Sequence, residues 1–154
     1  NVGFLKSNSG KKGEGMPVVR NPQYYFKEGF CWSLINGTRS ENDLKFRISS
    51  KGVNDVGGMS LSSLLSVVPE YYIVCLGNSN FMSRYTEVFV NFTVNFQVND
   101  ARQLPIIIPN KETLDKFEEL FKRAVQIKKG YLNEVELDSI QQEIDFLVNK
   151  LYAI

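Results

Sequence analysis

The sequence predicts an α+β fold: a small, curved, mainly antiparallel sheet with packed helices, then a C-terminal antiparallel helical pair. Three observations carry this expectation. Short aromatic and β-branched runs punctuated by glycine fill residues 24–50, which is strand composition. Two long segments after residue 110 repeat apolar residues at helical spacing instead. The 154 residues are 43% hydrophobic and 23% charged, the balance of one globular unit with a real core.

The elements follow in order. Residues 7–15 (SNSGKKGEG) are small and charged, and residues 1–15 are expected to be a linker from an upstream domain. Pro17 and Pro22 bracket a short extended run. Tyr24-Tyr25-Phe26 and residues 30–35 (FCWSLI) predict two strands, punctuated by Gly29 and Gly37. Residues 44–50 (LKFRISS) alternate and predict a third, with Leu44, Phe46 and Ile48 on one face and Lys45 and Arg47 on the solvent side. Lys51-Gly52 is a turn, and Gly57-Gly58 a second flexible point. Residues 71–76 are apolar throughout and fit either strand or helix. Asn78 or Ser79 can cap a helix carrying Phe81, Met82, Tyr85, Val88 and Phe89. Phe92, Val94 and Phe96 alternate as in a strand, and residues 105–109 (PIIIP) form a rigid extended segment.

The last two elements are helices. Asn110 caps the first, whose stripe is Leu114, Phe117, Leu120, Phe121, Ala124 and Val125, and Gly130 stops it. Asn133 with Glu136 predicts a capping box for the second. Leu137, Ile140, Ile144, Leu147, Val148 and Leu151 run close to a heptad seam, and the short link favours an antiparallel pair. The domain expectation is therefore residues 16–110 followed by a helical pair over 111–154.

Composition excludes several chemistries. Histidine is absent, so Ser-His-Asp and Cys-His catalysis and histidine metal sites are excluded. Cys31 and Cys75 form no Cys-x-x-Cys pair. We read them as reduced, buried thiols of a cytoplasmic protein, with no metal site. No apolar run approaches the ~18 residues of a membrane span, so no membrane contact is expected. Asn36-Gly37-Thr38 and Asn91-Phe92-Thr93 match the glycosylation pattern, without a signal peptide to give it meaning. Net charge is +1, too little for tight non-specific nucleic-acid binding. The charge is uneven, however. Residues 1–60 hold nine Lys/Arg against five Asp/Glu, so a polyanion would meet the first third.

Three motifs invite a chemical reading. Asn21-Pro22-Gln23-Tyr24 resembles the Asn-Pro-Pro-Tyr loop of adenine amino-methyltransferases, whose aromatic ring stacks on a flipped base. Gln23 replaces the second proline, and only twenty residues precede Asn21, too few for a nucleotide-binding unit. A proline turn is the better account, and no catalytic residue is assigned. Asp43-Leu44-Lys45 matches the end of a nuclease motif whose upstream acid is missing, which argues against an independent nuclease. Residues 10–15 (GKKGEG) lack phosphate-loop spacing. Trp32 has two readings: a core residue, or an aromatic edge beside a DNA-facing loop.

Longer blocks carry a family resemblance. Residues 16–33 (MPVVRNPQYYFKEGFCWS) are similar to an "NPxYYFKEGxxWS" signature. It opens the C-terminal target-recognition region of large adenine-specific DNA methyltransferases. These are the Eco57I-like, type II restriction–modification enzymes with TaqI-like specificity domains. Residues 76–81 (LGNSNF) resemble the family's "LLNSKLF", with Gly77 where leucine is usual and Asn80 where lysine is usual. Residues 96–106 (FQVNDARQLPI) resemble "FQVGDIKKLPI", and residues 144–153 (IDFLVNKLYA) resemble "IDxLVYxLYG". The four blocks occur in the family's order and span residues 16–154.

The resemblance implies a target-recognition domain over residues 16–110, cut from a methyltransferase whose catalytic half lies N-terminal. The first residue, Asn1, agrees with an excised piece. The implied function is sequence-specific double-stranded DNA recognition, with no enzyme activity in this chain alone. The parent would be a site-specific adenine methyltransferase, with or without a fused restriction endonuclease. The resemblance implies no cofactor here and S-adenosylmethionine in the parent. The expected partners are double-stranded DNA and the methyltransferase domain. The candidate DNA contacts are Lys27, Arg39, Lys45, Arg47 and Lys51, with arginine reading guanine edges and lysine meeting phosphates. The alternative is a protein-interaction module in which the helical pair docks another subunit.

Overall fold

The computed structural model describes residues 23, 25–33, 45–53, 58–62, 67–91, 93, 95–130 and 133–154. Within them the class is α+β. Three strands, β1 (Gly29–Ser33), β2 (Arg47–Ser49) and β3 (Gly58–Leu61), form an antiparallel sheet in the order β2-β1-β3. β1 is the central strand because it carries the bulkiest apolar residues. Phe30, Cys31 and Trp32 are all buried.

Register assigns the faces. Phe30 pairs with Ile48 and Leu61, and Trp32 pairs with Met59, so these five share one side. Phe46, just before β2, joins them. Its ring lies 5.8 Å from Phe30 and 5.2 Å from Trp32, edge-on to both. Phe96 closes the cluster 5.8 Å from Trp32. The Trp32 indole N–H donates to the Phe96 carbonyl at 2.9 Å, so its one polar group is satisfied in the interior. Trp32 is thus core, and the alternative of a DNA-facing aromatic edge is set aside.

Helix α1 (Glu70–Gly77) lies between this aromatic face and the helical pair. That position explains why residues 71–76 are apolar without a period: Tyr72 through Gly77 are all buried, and a helix covered on both sides has no polar face to reveal it. Ser79 caps α2 (Asn80–Tyr85), accepting from the Met82 N–H at 3.2 Å, and a π-helical turn, Thr86–Val90, extends it. A single turn, α3 (Val98–Ala101), follows. Residues 105–109 are pinned by two tyrosines. The Tyr72 hydroxyl donates to the Ile107 carbonyl at 2.6 Å, and the Tyr152 hydroxyl donates to the Pro105 carbonyl.

The hairpin is α4 (Lys111–Lys129) and α5 (Glu134–Tyr152). Asn110 accepts from the Thr113 N–H at 2.9 Å, and helix α4 ends at Gly130 as expected. Asn133 accepts from the Glu136 N–H at 3.3 Å. The return arm of the expected box differs: the Glu136 carboxylate takes its hydrogen bond from the Asn133 side-chain amide, at 3.4 Å. Phe117 and Leu120 of α4 meet Ile140, Ile144 and Val148 of α5 in the seam. Leu147, one position round, is half-buried. One apolar cluster runs from Phe30 through α1 to Val148, so residues on both sides of position 110 share a core.

Three expectations are corrected. Tyr25 and Phe26 form a turn, not a strand. Phe26 sits at φ 58° and donates its N–H to the Gly52 carbonyl at 2.9 Å. Strand β3 begins at Gly58, where flexibility was expected, because pairing of Ser33 with Gly58 fixes it from outside the local sequence. Phe96 lies outside any strand, its neighbours Phe92 and Val94 falling outside the described residues.

Candidate nucleic-acid interface

The sheet's second face holds Arg47. Cys31 pairs with Arg47 and Gly29 with Ser49, which puts all four residues on the side away from Phe30 and Trp32. The Phe26 N–H donates to the Gly52 carbonyl at 2.9 Å, which brings the segment of Lys27 beside that of Lys51. Lys45 and Arg47 share the side away from Phe46, Lys27 and Lys51 flank the other end of the β1–β2 ladder, and all four are exposed. Arg39 lies outside the described residues.

Local structure explains the arrangement. Alternation around Phe46, which is buried, throws Lys45 and Arg47 outward about 7 Å apart along the extended chain. Ile48 was expected inward with Phe46. It does oppose Phe30, but at the sheet edge it keeps 43% exposure. Glu28 tempers the cations: its Oε1 lies 3.6 Å from Lys51 Nζ, both exposed. Such a pair is weak and screened by salt, so Lys51 remains available to a stronger anion. Cys31 lies on the same face among the cations and is buried.

Asn78, expected only as a helix cap, has a different task. Its side-chain Oδ1 accepts from the Phe46 N–H at 2.7 Å, and its Nδ2 donates to the Phe46 carbonyl at 2.9 Å. Ser79 does the capping instead. The neighbouring Gly77 makes room. A Cβ there would lie 1.7 Å from Phe46 Cδ2, so the leucine usual in the resembled family has no space beside this ring. Sequence reasoning missed the clasp because it joins positions 32 residues apart.

The remaining ionisable groups are structural. Burial pushes the Cys75 thiol up to about 12 and the Tyr72 hydroxyl higher still. Both cysteines are free and buried, and Cys75, so disfavoured as thiolate, is a poor nucleophile. Among the described residues no group of three or more His, Cys, Asp or Glu could hold a metal ion. No described helix is long and apolar enough to cross a membrane.

A concave surface lies elsewhere, on the helices. A groove of about 450 Å³ between α2 and the end of α5 is lined by Phe81, Tyr85, Val88, Phe89 and Ile154, among others. Val88 and Phe89 are 68% and 72% exposed. Comparison with known proteins found no matching family model and no matching curated protein.

Proposed function

We propose that the chain is a sequence-specific double-stranded DNA recognition module that presents an adenine to a methyltransferase domain of its parent enzyme. One observation carries the reading. Lys45 and Arg47 project from one side of β2, the edge strand of the sheet, and the exposed Lys27 and Lys51 flank the other end of the β1–β2 ladder, so the cations cluster at strand ends, where they can meet phosphates and base edges. The four sequence blocks similar to target-recognition regions support it. On this reading lysines meet phosphates and set register, while Arg47 reaches base edges. S-adenosylmethionine belongs to the methyltransferase domain, and this chain contributes binding and register only. The free cysteines suit a cytoplasmic setting.

The test is selection from a randomised duplex library with the chain as it stands. Enrichment of a short common motif is expected. Recovery of unrelated sequences at every round would overturn sequence-specific recognition.

A second reading, a module that docks another protein subunit, draws on the exposed Val88 and Phe89 beside an apolar groove. It predicts association with a protein partner and no selection of a DNA motif.

A further inference from the structure

We infer that Asn78 is a positioning residue for the proposed DNA contact: by gripping both backbone polar groups of Phe46, it sets how Lys45 and Arg47 are presented. The inference rests on the reading of the cationic face given above.

Phe46 lies one residue outside the paired stretch of β2. The Asn78 amide supplies what a neighbouring strand would offer: an acceptor for the Phe46 N–H and a donor for its carbonyl, at 2.7 and 2.9 Å. Among short side chains only asparagine carries both groups on one planar unit. The ring of Phe46 is held as well. It packs directly over Gly77, where no side chain fits, and against Phe30, Trp32 and Phe96. With its ring and its backbone both fixed, Phe46 leaves its two neighbours little latitude. Those neighbours are Lys45 and Arg47.

The clamp is itself mounted on rigid parts. The Asn78 N–H donates to the Val74 carbonyl of α1 at 3.1 Å, and its carbonyl accepts from Gln141 Nε2 of α5 at 3.1 Å. Asn78 therefore joins α1 and the hairpin to the strand that bears the cations. Removing its side chain would release the Phe46 backbone from α1 and α5 without touching any candidate DNA contact. The backbone there, φ −90° and ψ 3°, accepts alanine without strain.

The experiment is a double-mutant cycle in the full chain. Duplex affinity is measured across salt for wild type, Asn78→Ala, the pair Lys45→Ala with Arg47→Ala, and the triple variant. Asn78→Ala is expected to weaken low-salt binding and to flatten the salt slope by up to about 0.9, the value of the one phosphate that Lys45 meets. Added to the cation-free background it should change affinity less than about twofold, because it acts through residues already removed. Amide exchange supplies a readout independent of DNA. The Phe46 amide should exchange at least about tenfold faster in Asn78→Ala, while seam amides of Ile144 and Val148 keep wild-type protection. If Asn78→Ala loses the fold, the cycle uses Asn78→Asp. That variant keeps the acceptor for Phe46 but faces its carbonyl with an oxygen, and intermediate effects are expected.

An equal loss of affinity from Asn78→Ala in both backgrounds would overturn the inference, because Asn78 would then be a general stabiliser. So would a Phe46 amide that stays protected in the variant. If the cation-free pair binds duplex as wild type does, the cationic face itself is wrong and the inference goes with it, even where the Phe46 amide has been released.

Discussion

The aromatic half of the molecule and the helical hairpin are held by different physics. Around Trp32, a few large rings meet edge-on, and each buried polar group has one designated partner: Phe96 for the indole, Asn78 for the Phe46 backbone. In the hairpin, aliphatic residues repeat along a seam from Ile140 to Val148, and polar bonds lie beside it: at the helix ends, in surface pairs such as Lys116–Glu112, and where Gln141 and Asp145 hold Asn78 and Asn80. The first region concentrates its stability in single residues, and the second distributes it. The precise region is also the one that carries the candidate DNA contacts. A site that must hold charges in fixed positions is better built on rings and clasps than on a seam that tolerates small shifts.

The sharpest way to break this contrast is Trp32→Ala. It deletes the centre of the ring cluster and leaves the Phe96 carbonyl unpaired, and it should destabilise by about 3–5 kcal/mol. Chemical denaturation checks this, and a loss no greater than that of a single seam residue would erase the contrast. Gly77→Ala is next. Its new Cβ collides with the Phe46 ring, so a loss of about 1–3 kcal/mol is expected despite alanine's better helix propensity. Thermal unfolding of the variant reads this, and a raised midpoint would mean that the ring moves freely.

Alkaline pH probes the junction between the two regions, where Cys75 of α1 lies buried. Its thiol is pushed from 9.0 up to about 12 by burial. The folded state therefore holds its proton more tightly than the unfolded chain. The thiol's contribution to stability is fully present below its unfolded value of 9.0 and is lost as pH rises toward 12, by about 1 kcal/mol between pH 9 and 10. Cys75→Ala should remove this part of the slope, the hydroxyls of Tyr71, Tyr72 and Tyr152, also raised, contributing at higher pH, and an unchanged slope would show that the thiol is not desolvated. The smallest effect is expected from Leu147→Ala. Leu147 is only half-buried, so about 1–2 kcal/mol is expected, below the range for a fully buried leucine. A loss as large as that of Trp32→Ala would show the hairpin to be as concentrated as the ring cluster.

The two regions also differ in how far the sequence discloses them. Helix ends are local, so Asn110, Gly130 and Asn133 announce the hairpin directly. The sheet depends on pairing at a distance. β3 was unreadable because Gly58–Leu61 has little strand character of its own and is made a strand by β1. The aromatic run at Tyr24-Tyr25-Phe26 misled for the converse reason: its composition suits a strand, but Phe26 bends back at positive φ. The candidate interface was half legible. Alternation alone separates Lys45 and Arg47 from Phe46. Placing Lys27 beside Lys51 needs the Phe26–Gly52 hydrogen bond, and Asn78 needs the fold.

The central claim is that the outer face of the β1–β2 ladder meets DNA. Salt-dependent duplex binding tests it most directly, comparing wild type with the Lys45→Ala, Arg47→Ala pair. Wild type should show a slope of log affinity against log salt of roughly −2 to −4, and the pair a slope about 0.9 shallower, the value of the one phosphate that Lys45 meets, with weaker binding at low salt. The core should be untouched, because both side chains are exposed. Binding that is measurable and identical for the two proteins at every salt concentration would contradict the account.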